Sequence, residues 1–303
     1  MRQLRPQPGR QMARAVSLGL IGSAALALGA YWLERYLRPR HSALELNGSV
    51  AVIPEADSAL GQAFARALAY RGLRLILAGR DPDVLLGLRL AVDPYAADVL
   101  TVTADSRTAA GQSAIIEAAM SHHGRIDLLI MTPGPIAAAL HTGLPGVIAL
   151  TRAALPIFRQ QNSGRIVYLL STAGWLAMPG LADYAAAAQG ITGFADALRH
   201  ELSGTAITIS SVSSGWTRED TAAPSVQRWL SRMNWPLVST ETVISATIVG
   251  LLNGQPEIFV GSAFDRLLVW LTRHIPLLMA LYWRTVNSPD WLTAAHDLSA
   301  TGR

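Results

Sequence analysis

The chain has 303 residues, of which half are hydrophobic and 15% are charged. This composition excludes an intrinsically disordered protein, and the lack of cysteine excludes a disulfide-stapled scaffold. The formal net charge is +4, and all 25 basic residues are arginine. Because the sequence contains no lysine, no ammonium side chain is present to form a Schiff base or to lower the pKa of a neighbouring group.

Residues 15–33 form an uncharged segment that follows a basic tail, residues 1–14. A helix of this length rises far enough to cross a bilayer, so the segment predicts a transmembrane helix. A cleaved signal peptide is the alternative, although Tyr31 and Trp32 are more typical of a membrane interface than of a cleavage site. Arginines flank the segment on both sides and favour only slightly an N-terminus on the inner side.

Residues 44–262 alternate short apolar runs with longer helical stretches. The apolar runs predict seven strands: SVAVI, LRLILAG, DVLTVTA, IDLLIM, GRIVYLLS, AITISSVS and EIFVG. The other stretches predict five helices: ALGQAFARALAYRG, AAGQSAIIEAAMSHHG, PGVIALTRAALPIFRQQ, YAAAAQGITGFADALRHEL and TETVISATIVGLLNG. The predicted fold class is therefore α/β, a doubly wound Rossmann-like parallel sheet with an N-terminal transmembrane helix and a C-terminal amphipathic helix. Its ligand crevice is expected at the carboxyl ends of the strands.

Residues 263–303 form a separate amphipathic segment in this prediction. Apolar side chains recur in it at helical spacing: Leu267, Trp270, Leu271, Leu278 and Tyr282. Pro276 predicts a kink in the helix. Two interpretations stay open, a helix packed on its own domain and an interfacial helix that lies on the bilayer or on another membrane protein.

Four motifs carry a resemblance to a known family: ALAYRGLRLILAGRD, LTRAALP, SGRIVYLLSTAGWLAMPGLADYAA and GFADALRHEL. With the order of strands and helices, they identify residues 44–262 as similar to the short-chain dehydrogenase/reductase (SDR) family. The resemblance implies NAD(P) binding and hydride transfer through a tetrad of serine, tyrosine, lysine and asparagine.

The stretch PEADSALG, residues 54–61, occupies the place of the family's T-G-x-x-x-G-x-G loop. Pro54 replaces the threonine, Glu55 and Ala59 replace two glycines, and Gly61 alone persists. A β-carbon at Glu55 obstructs the approach of a pyrophosphate to the backbone, and its carboxylate repels the phosphates. Either Asp57 or Ser58 is expected to be the N-cap of the next helix.

Three further positions match the cofactor groove by resemblance. Arg80 matches the position that favours a 2′-phosphate and hence NADP, and Asp105 matches the aspartate on the adenine side. Gly134 in MTPG is what persists of the family's N-N-A-G. Gly61, Arg80, Asp105 and Gly134 are thus interpreted as remnants of a cofactor site. The sequence therefore predicts that no cofactor binds; if one does bind, NADP is expected.

Two of the four residues of the family's catalytic tetrad are present in this sequence. Ser171 and Tyr184 match the family's serine and tyrosine, but Ala188 stands at the place of the lysine that assists the tyrosine. Gly143 stands at the place of the asparagine. Ser171 and Tyr184 are therefore predicted to be inactive remnants, and replacing Tyr184 with phenylalanine is expected to change activity and stability little.

Three tryptophans, Trp216, Trp229 and Trp235, lie in the region that forms the substrate lid in the family. Core packing is the first interpretation, and a plugged cleft or a partner-facing surface are the alternatives. No metal site is predicted, because the seven histidines are scattered along the sequence. No motif or basic groove indicates nucleic-acid binding.

Two hypotheses for function follow. The first is a non-catalytic, membrane-anchored accessory, structural or binding subunit of a membrane complex, of which an electron-transport or photosynthetic assembly is one example. Its partners would be membrane lipid together with other membrane-protein subunits or a second copy of the chain, and its soluble domain is expected in the cytoplasm. The alternative is an atypical NADP-dependent reductase of a lipid or another apolar carbonyl compound.

Overall fold

The computed structural model describes residues 46–131, 143–218, 224–286 and 289–300. All of them belong to one compact unit that begins after Ser42. The predicted transmembrane helix, residues 15–33, lies outside the described residues. Within the described ranges, no helix is long and apolar enough to cross a membrane.

The seven predicted strands form one fully parallel sheet, in the order β3-β2-β1-β4-β5-β6-β7. Their bounds are β1 (Val50–Ile53), β2 (Arg74–Gly79), β3 (Asp98–Thr103), β4 (Leu128–Met131), β5 (Gly164–Ser171), β6 (Ile207–Ser214) and β7 (Glu257–Val260). The prediction of a doubly wound parallel sheet is confirmed. Because β1 pairs with both β2 and β4, the strand order reverses there and leaves a crevice at the carboxyl ends of these strands.

Helices cover both faces of the sheet. Those between the strands are α1 (Ala59–Ala69), α2 (Pro82–Val92), α3 (Ala109–His123), α4 (Leu144–Gln161), α5 (Ala182–Glu201), α6 (Pro224–Arg232) and α7 (Thr240–Leu252). The five predicted helices are present, whereas α2 and α6 were not predicted. For α2 the signals were in the sequence: Asp81 is the N-cap, its side chain accepts from the backbone of Asp83 and Val84, and Pro82 occupies the first turn.

Two apolar cores lie on opposite faces of the sheet. On one face α3, α4 and α5 contribute buried side chains such as Ile115, Phe158 and Ile191. On the other face α1, α2 and α7 contribute side chains such as Phe64 and Leu88. Strands between two such layers are buried on both faces, which is why they read as continuous apolar runs in the sequence.

Three helices follow the sheet, α8 (Ala263–His274), α9 (Pro276–Val286) and α10 (Pro289–Ala300). The single kinked helix predicted for this segment is therefore wrong. Pro276 starts a new helix, because the first helical turn needs no backbone N–H from its first residue. α10 packs against α6, so this segment belongs to the same compact unit as the sheet.

Candidate functional site

The crevice at the strand reversal lies between the ends of β1, β3 and β4 and the start of α4. A small cleft that is partly open to solvent is found there. Its lining includes Pro54, Glu55, Ser106, Arg107, Met131 and Gly143. The cleft is thus lined partly by the loop that follows β1, and it places one carboxylate and one guanidinium in the crevice.

The loop after β1 is a compact helix cap. Ser58 is the N-cap of α1, as predicted: its side chain accepts from the Gly61 amide at 3.0 Å and donates to the Glu55 carbonyl at 2.7 Å. A β-carbon added at Gly61 would lie 2.1 Å from the Glu55 carbonyl oxygen. The one loop glycine that persists is therefore required by contact with the chain's own backbone.

The Glu55 carboxylate interacts with groups from the end of β3. Its Oε1 is 3.4 Å from the Ser106 hydroxyl, a weak contact at the long limit of a hydrogen bond. Arg107 lies near it, and the pKa of Arg107 is raised first by its hydrogen bond to Asp105 and further by the charges of Asp105, Glu55 and Asp57. A pyrophosphate in this crevice would therefore meet a carboxylate that already neighbours the local cation.

Asp57 is bonded to the backbone that follows β2. Its Oδ2 accepts from the Arg80 amide at 2.8 Å and from the Asp81 amide at 3.3 Å. A β-carbon at Gly79 would lie 2.7 Å from the Asp57 carboxyl carbon. The Arg80 side chain itself is exposed. The chain's own carboxylate therefore uses the backbone donors beside the position that the resemblance assigns to a 2′-phosphate.

Asp105 forms an ion pair with Arg107. The Arg107 guanidinium donates to its carboxylate at 2.8 and 2.7 Å, and the Arg107 amide donates at 3.0 Å. The hydrogen bond from the Arg107 side chain is the main cause that lowers the pKa of Asp105. The carboxylate that would face an adenine in the family is thus held in an ion pair.

Ser171 and Tyr184 are brought together, as the resemblance implies. The Tyr184 hydroxyl accepts from the backbone amide of Ser171 at 3.0 Å, and the tyrosine is 4% exposed. The Ser171 hydroxyl accepts from the Ala173 amide at 3.2 Å, so it caps a short 3₁₀ turn, Thr172–Gly174. Both hydroxyl groups therefore accept a hydrogen bond from the main chain. These bonds are compatible with a purely structural role for the two residues.

The position of the family's lysine is closely packed. Ala188 is 3% exposed, and a β-carbon on Gly174 would lie 2.4 Å from the Ala188 methyl group. Arg199, on the same helix, is committed elsewhere: its guanidinium donates to the Ile209 carbonyl, the Ser211 hydroxyl and the Pro256 carbonyl. Neither residue supplies a cation to Tyr184.

We expect Tyr184→Phe to lower the free energy of unfolding by about 1–2 kcal/mol, because the Ser171 amide loses its acceptor in a largely buried place. The structure thus revises the expectation that this change is neutral for stability. Urea denaturation followed by circular dichroism measures it. Tyr95→Phe is the control, since Tyr95 is 51% exposed and its change should cost less than about 0.5 kcal/mol. Equal losses in the two variants would contradict the assignment.

Some predicted site positions lie outside the described residues. Gly134 is one, as is most of the segment before α4. Gly143, at the place of the family's asparagine, directly precedes α4 and makes no side-chain cap. A glycine has no side-chain amide, so this position lacks the side chain that the family's asparagine contributes.

The tryptophans of the lid region are buried. Trp216 and Trp229 are 1% exposed and Trp235 is 4% exposed, which agrees with core packing and excludes a partner-facing surface for them. The ring of Trp229 packs at a tilt against Trp235 and against Trp291 of α10, with ring centroids 5.6 and 4.3 Å apart. The lid region is therefore filled by aromatic contacts within the chain.

The C-terminal helices contact the loop that joins β5 to α5. The Trp283 indole donates to the Leu176 carbonyl at 3.1 Å, and the Trp291 indole donates to the Pro179 carbonyl at 2.7 Å. A β-carbon at Gly180 would lie 2.7 Å from the Ala295 methyl group. Sequence reasoning missed these contacts, because the tryptophans lie more than 100 residues from their acceptors.

The described residues do not fit a dinucleotide in the way that the family's loop does. Glu55 places a side chain where close backbone approach needs glycine, and Asp57 uses the donors after β2. A carboxylate about 5 Å from a phosphate charge repels it by roughly 3 kcal/mol at an effective dielectric constant of 20. This disagreement with the family pattern concerns residues 46–131 and 143–218; residues 132–142 border the crevice and are not described.

The family model for short chain dehydrogenases matches residues 49–228. Dehydrogenase/reductase SDR family member 7B from Danio rerio is 30% identical over 227 residues, 68% of this chain and 73% of that protein. The ketoacyl reductase HetN from Nostoc sp. is 28% identical over 230 residues, 71% of this chain and 79% of that protein.

A solved structure gives the same fold. The crystal structure of a short chain dehydrogenase/reductase from Burkholderia phymatum, in complex with NAD, superposes with a TM-score of 0.68 at 23% identity, over 78% of this chain and 96% of that one. At this identity the likeness concerns the fold. The relatives are named as dehydrogenases and reductases, so they favour the reductase alternative over the non-catalytic hypothesis.

Proposed function

This chain belongs to the short-chain dehydrogenase/reductase family, and we propose that it serves there as a membrane-associated accessory or binding subunit that does not transfer hydride. One observation carries this proposal: the Asp57 carboxylate accepts from the Arg80 and Asp81 amides, on the nucleotide side of the crevice. Glu55 in the same loop and Ala188 beside Tyr184 support it. Relative to the family pattern, these two residues replace a glycine that lets a phosphate approach and the lysine that assists the tyrosine.

Association with a membrane is the second part of the proposal. Residues 15–33 supply an uncharged segment of spanning length. α8 and α9 add exposed apolar side chains: Leu267, Trp270, Leu277, Leu278 and Leu281 are between 48% and 71% exposed. Exposed apolar groups at this density mark a surface that meets lipid or protein. Such a surface suits membrane lipid, another membrane-protein subunit or a second copy of this chain.

The atypical reductase is the second candidate, and two observations favour it. Ser171 and Tyr184 lie side by side at the end of β5, and the named relatives are oxidoreductases. In this candidate, Tyr184 would deliver a proton to the carbonyl oxygen of an apolar substrate, and Ser171 would polarise that oxygen. NADPH would supply the hydride to the carbonyl carbon and leave as NADP⁺, and Arg80 would be the residue that holds its 2′-phosphate.

Titration of NADPH fluorescence with the purified full chain separates the two candidates. We expect no saturable binding at millimolar NADPH for the natural chain, and measurable binding once Glu55→Gly, Asp57→Ser and Ala59→Gly are combined. The control is Glu117→Gln with Asp183→Asn, which removes two exposed carboxylates away from the loop and should leave NADPH unbound. Saturable binding by the natural chain would overturn the proposal in favour of the reductase.

Copurification tests the membrane part. The full chain should stay with the membrane fraction after an alkaline wash and should elute from a mild-detergent extract together with membrane-protein subunits. Recovery as a clean homodimer in the soluble fraction would contradict this part of the proposal. The part that concerns nucleotide binding would then depend only on the NADPH titration.

A further inference from the structure

A cluster of two histidines and one aspartate lies away from the crevice. Asp98 is the first residue of the edge strand β3, and His122 and His123 are the last residues of α3. Strands of a parallel sheet all begin at one edge, and a helix that crosses back over the sheet ends near that edge. The cluster is therefore at the amino edge of the sheet, opposite to the carboxyl edge that forms the crevice.

The three side chains converge. His122 Nε2 lies 2.7 Å from Asp98 Oδ2, and His123 Nε2 lies 3.8 Å from the same oxygen. The two imidazole rings meet edge to face, with centroids 4.5 Å apart. One ligand atom from each of the three residues lies within 4.8 Å of the other two.

His123 has a buried nitrogen without a partner. Its side chain is 5% exposed, and Nε2 makes no hydrogen bond within the described residues. Leaving a buried polar atom unpaired costs stability, so such atoms in folded proteins call for a ligand, a water or an ion.

We propose that Asp98, His122 and His123 bind a divalent transition metal ion of the Zn²⁺ class. Two imidazoles and one carboxylate are ligands that zinc prefers, and a tetrahedral centre with three protein ligands leaves one position for water. The side chains of Asp98 and His122 are 46% and 42% exposed, so a water can reach the ion and both side chains can adjust.

The ligand atoms need small movements to surround an ion. Bonds of about 2.0 Å in a tetrahedron set the ligand atoms about 3.3 Å apart. Asp98 and His122 must therefore give up their direct contact, which is an exposed ion pair and contributes little. Arg74 is the cation near His123, and its charge opposes the metal. A bound ion would tie the end of α3 to the start of the edge strand β3.

Zinc binding by the full chain tests the proposal, after removal of any affinity tag and treatment with a chelator. We expect one equivalent of Zn²⁺ to bind in isothermal titration calorimetry. At a hundredfold excess over Kd, Zn²⁺ should raise the Tm by about 5 °C. Co²⁺ as a substitute should give the visible absorption of a tetrahedral centre.

Two variants at exposed ligands, Asp98→Asn and His122→Gln, should each weaken zinc binding at least tenfold without loss of folding. His200→Gln is the matched control, because His200 is an exposed histidine at the end of another helix, α5. It should bind zinc as the natural chain does. The proposal fails if the natural chain binds no zinc, or if both ligand variants bind it as tightly as the control.

Discussion

An Asp265→Ala variant is expected to lose about 4 kcal/mol of unfolding free energy. Asp265 is fully buried at the start of α8. Its carboxylate accepts from the Ser262 amide at 2.8 Å, from the Ser262 hydroxyl at 2.7 Å and from the Trp235 indole at 2.9 Å. Alanine would leave these donors without an acceptor, and each buried hydrogen bond to a charged group contributes about 1.5–3 kcal/mol.

The geometry around Asp265 leaves little room for compensation. β-Carbons at Gly215 and at Gly261 would each lie 3.1 Å from its Oδ2, so the carboxylate is enclosed by the ends of β6 and β7. Chemical denaturation of the full chain in detergent measures the loss. Asp183→Ala, an exposed carboxylate in the first turn of α5, should cost less than about 1 kcal/mol. A loss at Asp265 no larger than that of the control would refute the assignment.

Gly61→Ala is expected to destabilise the protein by about 3 kcal/mol. The new methyl group would lie 2.1 Å from the backbone oxygen of Glu55, and a backbone atom cannot move aside as a flexible side chain does. The loop or the first turn of α1 must shift, which also strains the Ser58 cap. Differential scanning calorimetry should show the change as a lower Tm.

Gly87→Ala is the matched control, because Gly87 is exposed in α2 and a β-carbon there meets no atom within 4 Å. Alanine at that position should stabilise the protein by about 0.5–1 kcal/mol, since it restricts the unfolded chain and favours the helix. Opposite signs for the two substitutions would establish that Gly61 is retained for packing. Two small effects of the same sign would refute that explanation.

The fold could be predicted from the sequence, whereas the cofactor and catalytic roles of the site positions remain predictions. Each strand lies between two helical layers and is buried on both faces. Its sequence is therefore a continuous apolar run, which can be recognised without the structure. The N-cap role of Ser58 could also be predicted, because its hydrogen bond from the Gly61 amide spans only three residues. Ser171 and Tyr184 were placed together by resemblance, and their contact at the end of β5 agrees with it.

The contacts of the C-terminal helices and the histidine cluster could not be predicted. The partners of Trp283 and Trp291 are carbonyl groups more than 100 residues away, and nothing in the local sequence marks a backbone oxygen as an acceptor. Likewise, the sequence suggested no metal site, because Asp98 lies 24 residues before His122 and the spacing matches no local metal motif.

The sequence by itself therefore determined the α/β class with its parallel sheet, and the chemical identity of the groups at the positions that the family resemblance assigns to the nucleotide and to catalysis. These depend on local periodicity and on residue type, which the sequence states directly. Only the tertiary structure decided what those groups contact: Asp57 with the backbone after β2, Asp105 with Arg107, Tyr184 with the Ser171 amide, and Asp265 with Trp235. Such contacts depend on how distant segments pack, because hydrogen bonds reach only about 3 Å.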